Sequence, residues 1–113
     1  MPESFPKALR NVIAWTEKTE KEFALESEIT PKTLSRLLSG ETQKPTPQLI
    51  MRICMGVKLP FEISMRLMKK SGNELRISKQ DLAYTKLLVL SGAYTIEESN
   101  VLMRNQGVKE LSA

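Results

Sequence analysis

The sequence predicts an all-α protein, and three observations carry that expectation. Ser or Thr recurs just ahead of a proline or three residues ahead of an acid, apolar residues recur three and four apart, and no alternating apolar-polar run reaches strand length. Ser4 precedes Phe5, Pro6, Ala8, Leu9, Val12 and Ile13, an early-proline start followed by the stripe of an amphipathic helix that should run to about Lys18. Trp15 falls off that stripe, at the edge of the core. Thr19 with Glu22 is a capping box that opens a short second helix, ending near Ser27, with Phe23, Ala24 and Ser27 on one side. Thr30 caps a third helix with Pro31 at its first position, and Leu34, Leu37 and Leu38 form its buried edge up to a stop at Gly40.

Thr46 and Pro47 repeat the cap-plus-proline start, and Leu49, Ile50, Ile53 and Cys54 supply the apolar face of a fourth helix that Gly56 should end. Pro60 opens a fifth, with Phe61, Ser64, Met65 and Met68 on one stripe, Ile63 and Leu67 widening it and Gly72 closing it. The polar segment 72–79 leads to two further capping boxes, Ser78 with Asp81 and Thr95 with Glu98. These begin helices over about 79–90 and 96–106, joined as a hairpin by "SGAY". The first of the pair, with Leu82, Ala83, Tyr84, Leu87, Leu88, Val89 and Leu90, is apolar nearly all round, which implies burial on more than one side.

The chain has 113 residues, enough for one modest core without a disulfide or a structural metal. Apolar residues make up 41% and charged residues 27%, and no apolar run approaches the roughly 18 residues that would cross a bilayer. The start, MPESFPKALR, lacks the long apolar stretch of a secretory signal, and the single Cys54 has no partner for an internal disulfide. A cytoplasmic protein without a membrane segment is expected. The formal charge is +4 and unevenly placed: residues 1–29 carry four basic and six acidic side chains, whereas 30–44 carry three and one. Residues 45–75 carry five and two, and 76–113 five and four, so the basic excess lies in the middle of the chain. That placement suits a polyanionic partner.

With no histidine, and with Cys54 on an apolar helix face, the common nucleophile-base pairs and zinc sets are missing, so neither an enzyme nor a metal or other cofactor is expected. Glu20, Glu22, Glu26 and Glu28 crowd one short helix, where exposure to water is the ordinary reason for acids. Binding is what the spacing supports. The second and third helices, joined through Ser27, Ile29 and Thr30, form a helix-turn-helix whose second member can lie in a DNA major groove. If Leu34, Leu37 and Leu38 face inward, then Lys32, Thr33, Ser35, Arg36 and Ser39 face outward, with Lys32 and Arg36 one turn apart.

From about Leu9 to Leu67 the chain resembles the lambda-repressor-like, Cro/C1-type (XRE) helix-turn-helix family. "TEKEFALESEI" looks like the family's second helix, "TPKTLSRLLSG" like its recognition helix, "KPTPQLIMRICMGV" like the following loop and fourth helix, and "LPFEISMRL" like the fifth. The tail "LAYTKLLVLSGAYTIEESNVLMRNQGVKEL" is similar to a helical extension on some bacterial proteins of this kind. The resemblance implies a five-helix DNA-binding domain at 1–72, followed by a two-helix C-terminal hairpin at 73–113 that packs on it or forms a dimer interface. It also implies that Pro31, Lys32 and Arg36 contact bases, that Thr30 caps the reading helix, and that Lys44 meets the backbone, with Thr33 and Ser35 as secondary contacts. Arg and Lys can donate to guanine O6 and N7, Pro31 can touch a thymine methyl, and Lys44 can neutralise a phosphate. Three residues depart from the family pattern: Glu20 stands where a phosphate-contacting glutamine is usual, Pro31 where a polar reader is usual, and Glu28 where the turn commonly has glycine at positive φ.

The function so implied is that of a sequence-specific transcriptional regulator, a repressor, binding double-stranded DNA as a homodimer through 79–106. The alternative is the same fold used as a protein-interaction module, such as an antitoxin, an adaptor or an accessory domain of a larger protein.

Overall fold

The computed structural model of the chain describes residues 3–112. Among these there are seven α-helices and no strand: α1 (Phe5–Thr16), α2 (Glu20–Glu26), α3 (Pro31–Ser39), α4 (Pro47–Gly56), α5 (Phe61–Lys70), α6 (Lys79–Val89) and α7 (Ile96–Asn105). The protein is all-α. Six of the starts fall where the caps were expected: the side chains of Ser4, Thr19, Thr30, Thr46, Ser78 and Thr95 each accept a backbone N–H from the first turn that follows. The boxes at Thr19–Glu22 and Thr95–Glu98 are reciprocal. That at Ser78–Asp81 is one-sided, because the shorter Asp81 carboxylate instead accepts the Arg76 N–H at 2.9 Å.

Four of the seven helix ends follow one pattern, with a residue in the left-handed region. The N–H groups of Ile29, Leu59, Asn73 and Val108 reach back to the carbonyls of Ala24, Cys54, Met68 and Met103 at 2.9–3.0 Å, closing α2, α4, α5 and α7. The left-handed residues are Glu28, Lys58, Gly72 and Gly107. One expected boundary shifts. α1 stops at Thr16 rather than near Lys18, because the Thr16 hydroxyl donates to the Ile13 carbonyl at 2.6 Å and accepts the Lys18 N–H, with Glu17 at φ 59°. The fourth helix ends at Gly56 as expected, with Gly56 as its last helical residue and Lys58 in the left-handed position that follows.

What Gly56 does is admit a neighbour. A Cβ there would lie 2.0 Å from the Glu26 carbonyl oxygen and 3.0 Å from the Ser27 Cα, so the end of α2 rests directly on the end of α4. Around this contact α1 packs on α3 and α5, α2 on α3 and α4, and α4 on α5. Leu9, Phe23, Leu34, Leu37, Ile50, Met51, Ile53 and Leu67 are almost fully buried between them. α6 and α7 continue the same core, with α6 on α4 and α5 and α7 on α4, and with Tyr84 at 0% exposure.

α6 buries Ala83, Tyr84, Leu87 and Leu88 on one side only. The expectation that it is covered on more than one side is not met within the chain: Leu82, Val89 and Leu90 are 46%, 61% and 47% exposed. Trp15, expected off the main stripe of α1, is exposed. No helix among the described residues is long and apolar enough to cross a membrane.

Gly56→Ala should lower stability by about 1–3 kcal/mol, the range for overpacking a tight contact, toward its upper end because the neighbour is backbone. Urea unfolding measures it, and a change smaller than about 0.5 kcal/mol, the ordinary scatter of neutral sites, would argue against the close approach.

Candidate nucleic-acid interface

The turn between α2 and α3 is built from four residues with separate tasks. Ser27 caps α2 and is fully buried over Gly56, Glu28 turns the chain at φ 54°, Ile29 is half-buried, and Thr30 caps α3. The positive φ expected at Glu28 is therefore present. It costs a non-glycine residue about 1–2 kcal/mol. The Ser27 hydroxyl is buried without a hydrogen-bond partner, a further cost accepted for a small side chain at this crossing.

α3 then presents two faces. Leu34, Leu37 and Leu38 are buried, while Pro31, Lys32, Ser35, Arg36 and Ser39 are exposed. Thr33 is half-buried, and its hydroxyl is tied to that of Thr30 at 2.8 Å while its N–H donates to Thr30 Oγ1 at 3.0 Å. Thr30 and Thr33 thus serve the helix start. Lys32 and Arg36 stand four residues apart, about 6 Å along the axis, on the water-facing side. Arg36 Nε lies 4.0 Å from Glu41 Oε2, with both side chains about half exposed or more, an ion pair of small worth.

Lys44 is exposed on the loop after α3, and that loop is tethered. The Thr42 N–H donates to the Arg36 carbonyl at 3.3 Å, Pro45 is buried, and the Asn73 side-chain amide donates to the Pro45 carbonyl at 2.8 Å. Arg10 adds a bond from its guanidinium to the Leu38 carbonyl at 3.0 Å, occupying an acceptor at the end of α3. Neither Asn73 nor Arg10 stands out in the sequence: each acts 28 residues away, and neither lies in a local pattern.

The acids of α2 are largely accounted for locally. Glu22 is held by its bonds to the Thr19 backbone and side chain, which keep its carboxyl below the usual range. Glu26 pairs with Lys18 at 2.9 Å. Glu20 and Glu28 are exposed. Among the described residues no group of three potential metal ligands occurs. Cys54 is fully buried, and burial pushes its thiol up to about 12 against a weaker opposing effect of the Ser64 hydroxyl.

The chain matches no protein-family model, no curated protein and no solved structure.

Cys54 should resist alkylation in the folded protein at pH 8 and react only on unfolding. Because its folded value lies above its ordinary 9.0, its stabilising contribution is complete below pH 9 and is lost as pH rises toward 12. Comparing wild type with Cys54→Ala in a pH series of unfolding curves checks the sign: only wild type should lose this component above pH 9.

Proposed function

We propose that this protein is a sequence-specific DNA-binding transcriptional regulator, a repressor of the lambda-repressor-like helix-turn-helix kind, in which α1 to α5 (1–72) form the binding domain and 73–113 a C-terminal hairpin. The observation that carries the reading is the outward face of α3: Lys32, Ser35 and Arg36 stand free of the core beside a tethered loop that carries Lys44. α3 enters the major groove, Lys32 and Arg36 donate to base edges, Pro31 supplies apolar contact, and Lys44 meets a phosphate. Thr30 and Thr33 fix the N-terminus of α3, and Ser35 adds a short polar contact.

A second copy completes the regulator, since helix-turn-helix modules read paired half-sites about one DNA turn apart. The uncovered Leu82, Val89 and Leu90 of α6 support that part of the reading. The competing reading, a protein-docking module, draws support from Leu25, which is 76% exposed on the acidic second helix. The local duties of Glu22 and Glu26 weigh against it, because those acids need no partner to explain them.

Arg36→Ala should cost about 1–3 kcal/mol on the preferred duplex and relax preference at one position, whereas Lys44→Ala should weaken all duplexes about equally and lower the salt slope by about one unit. Binding to selected and scrambled duplexes across a salt series separates the two. If wild type binds no duplex in a salt-dependent way, the docking reading replaces this one. For the assembly, Val89→Glu should convert a dimer to a monomer in sedimentation while leaving helical content unchanged; a dimer that survives it would place the interface elsewhere.

A further inference from the structure

The segment after α7 folds back against α4 and encloses a cleft of about 190 Å³ lined by Thr46, Gln48, Arg52, Lys109, Glu110 and Ser112, with Leu111 at its base. Its walls are fixed by hydrogen bonds. Gln48 Nε2 donates to the Tyr84 hydroxyl at 3.1 Å, and that hydroxyl donates to the Lys109 carbonyl at 2.7 Å. The Asn100 side chain accepts the N–H groups of Leu111 and Ser112 at 2.8 and 3.2 Å and donates to Ser112 Oγ at 3.0 Å. Leu111 is 1% exposed, so the tail is a packed wall of the cleft.

The polar inventory of this cleft is one-sided. Arg52 Nε is buried with no hydrogen-bond partner, and neither Arg52 nor Lys109 belongs to an ion pair among the described residues. The one carboxylate, Glu110, is engaged by Arg104 through two bonds at 2.8 and 3.4 Å. Thr46 Oγ1 accepts from the Leu49 N–H and Ser112 Oγ from Asn100, which leaves both hydroxyl protons free to donate. Gln48 uses one amide proton on Tyr84 and keeps the other. Two cations and three neutral donors therefore line a space whose only carboxylate is neutralised. A half-buried arginine with a desolvated, unpaired N–H is costly unless something accepts from the group.

We propose that this cleft binds a phosphate group, held by Arg52 and Lys109 with Thr46, Gln48 and Ser112 donating to its oxygens. A tetrahedral oxyanion offers acceptors in several directions at once, which matches donors arriving from α4 on one side and the tail on the other. The volume is about six times the roughly 30 Å³ that a water occupies in the liquid, enough for such an ion with some water. The phosphate has two possible sources. Thr46 at the lip is two residues from Lys44, at most about 7 Å along the chain, so a nucleic-acid backbone could supply it; so could a free phosphorylated small molecule.

The test is an NMR titration of the full chain with inorganic phosphate, against sodium chloride at matched ionic strength, following the Arg52 Nε–H and the Ser112 and Gln48 side chains. Saturating shifts confined to the cleft, with affinity falling roughly 10- to 100-fold in Arg52→Gln, are expected. Lys109→Gln, on an exposed side chain whose loss leaves the fold intact, should weaken binding in the same direction. Shifts that stay linear, or an affinity in both variants equal to that of wild type, overturn the proposal. A second arm adds duplex DNA: phosphate displaced by duplex assigns the cleft to the backbone, and phosphate retained beside duplex assigns it to a free ligand. The first arm contains no DNA, so its outcome is independent of whether α3 reads a groove.

Discussion

The arrangement of the first five helices depends on the missing side chain of Gly56. α2 has only seven residues and could not hold a fixed direction by its own hydrogen bonds. It is fixed because its last carbonyl and the Ser27 backbone lie on α4 at a distance that no Cβ permits. From that contact the chain turns at Glu28 and starts α3 at Thr30, so the direction in which Lys32 and Arg36 point is set by a glycine on a different helix. The unpartnered Ser27 hydroxyl and the left-handed Glu28 are the costs of keeping this crossing tight. Phe23 and Ala24 on one side and Leu34 and Leu37 on the other supply the apolar burial that offsets them.

Local chemistry made much of the fold legible. A hydroxyl that accepts an N–H three residues later is a short-range interaction, and the six Ser and Thr caps are therefore visible as sequence spacing. The stretches 62–72 and 97–107 share Glu, Ser, Leu, Met and Gly in register, and this likeness has the same local origin. Met68 and Met103 occupy equivalent places in two helix ends, each accepting from the residue after a left-handed glycine, while Ser64 and Ser99 are both buried against backbone carbonyls. Helix ends were less legible than starts because a left-handed cap need not be glycine. Glu17, Glu28 and Lys58 take that conformation, whereas Gly56 does not.

The outward face of α3 could be read from the three leucines behind it, but its surroundings could not. Asn73 and Arg10 fix the loop and the end of α3 from 28 residues away, and only the folded chain brings them there. Arg52 carried a weak signal, being the one charged residue in the otherwise apolar run of α4. Its neighbour Lys109 carried none, because the course of the chain after α7 is set by Tyr84 and Asn100. What covers the outer side of α6 was not legible for a related reason. Composition reports how much apolar surface a helix has, and it does not say whether the surface is covered by the same chain.

The C-terminal segment is mechanically joined to the surface that carries Lys44. Asn73 bonds the carbonyl of Pro45, the residue after Lys44, and also the Ser71 hydroxyl, which in turn bonds the Met68 carbonyl at the end of α5. Three residues further on, Gln48 reaches Tyr84, and through that hydroxyl the Lys109 carbonyl. Burial raises the Tyr84 phenol above its ordinary range, so it remains protonated and keeps donating across the neutral range. The loop and the first turn of α4 are thus held by α5, by α6 and by the tail. Any partner that seats on the uncovered side of α6 acts on a helix whose inner side already grips the start of α4, so binding there and the position of Lys44 share one packed path rather than two independent surfaces.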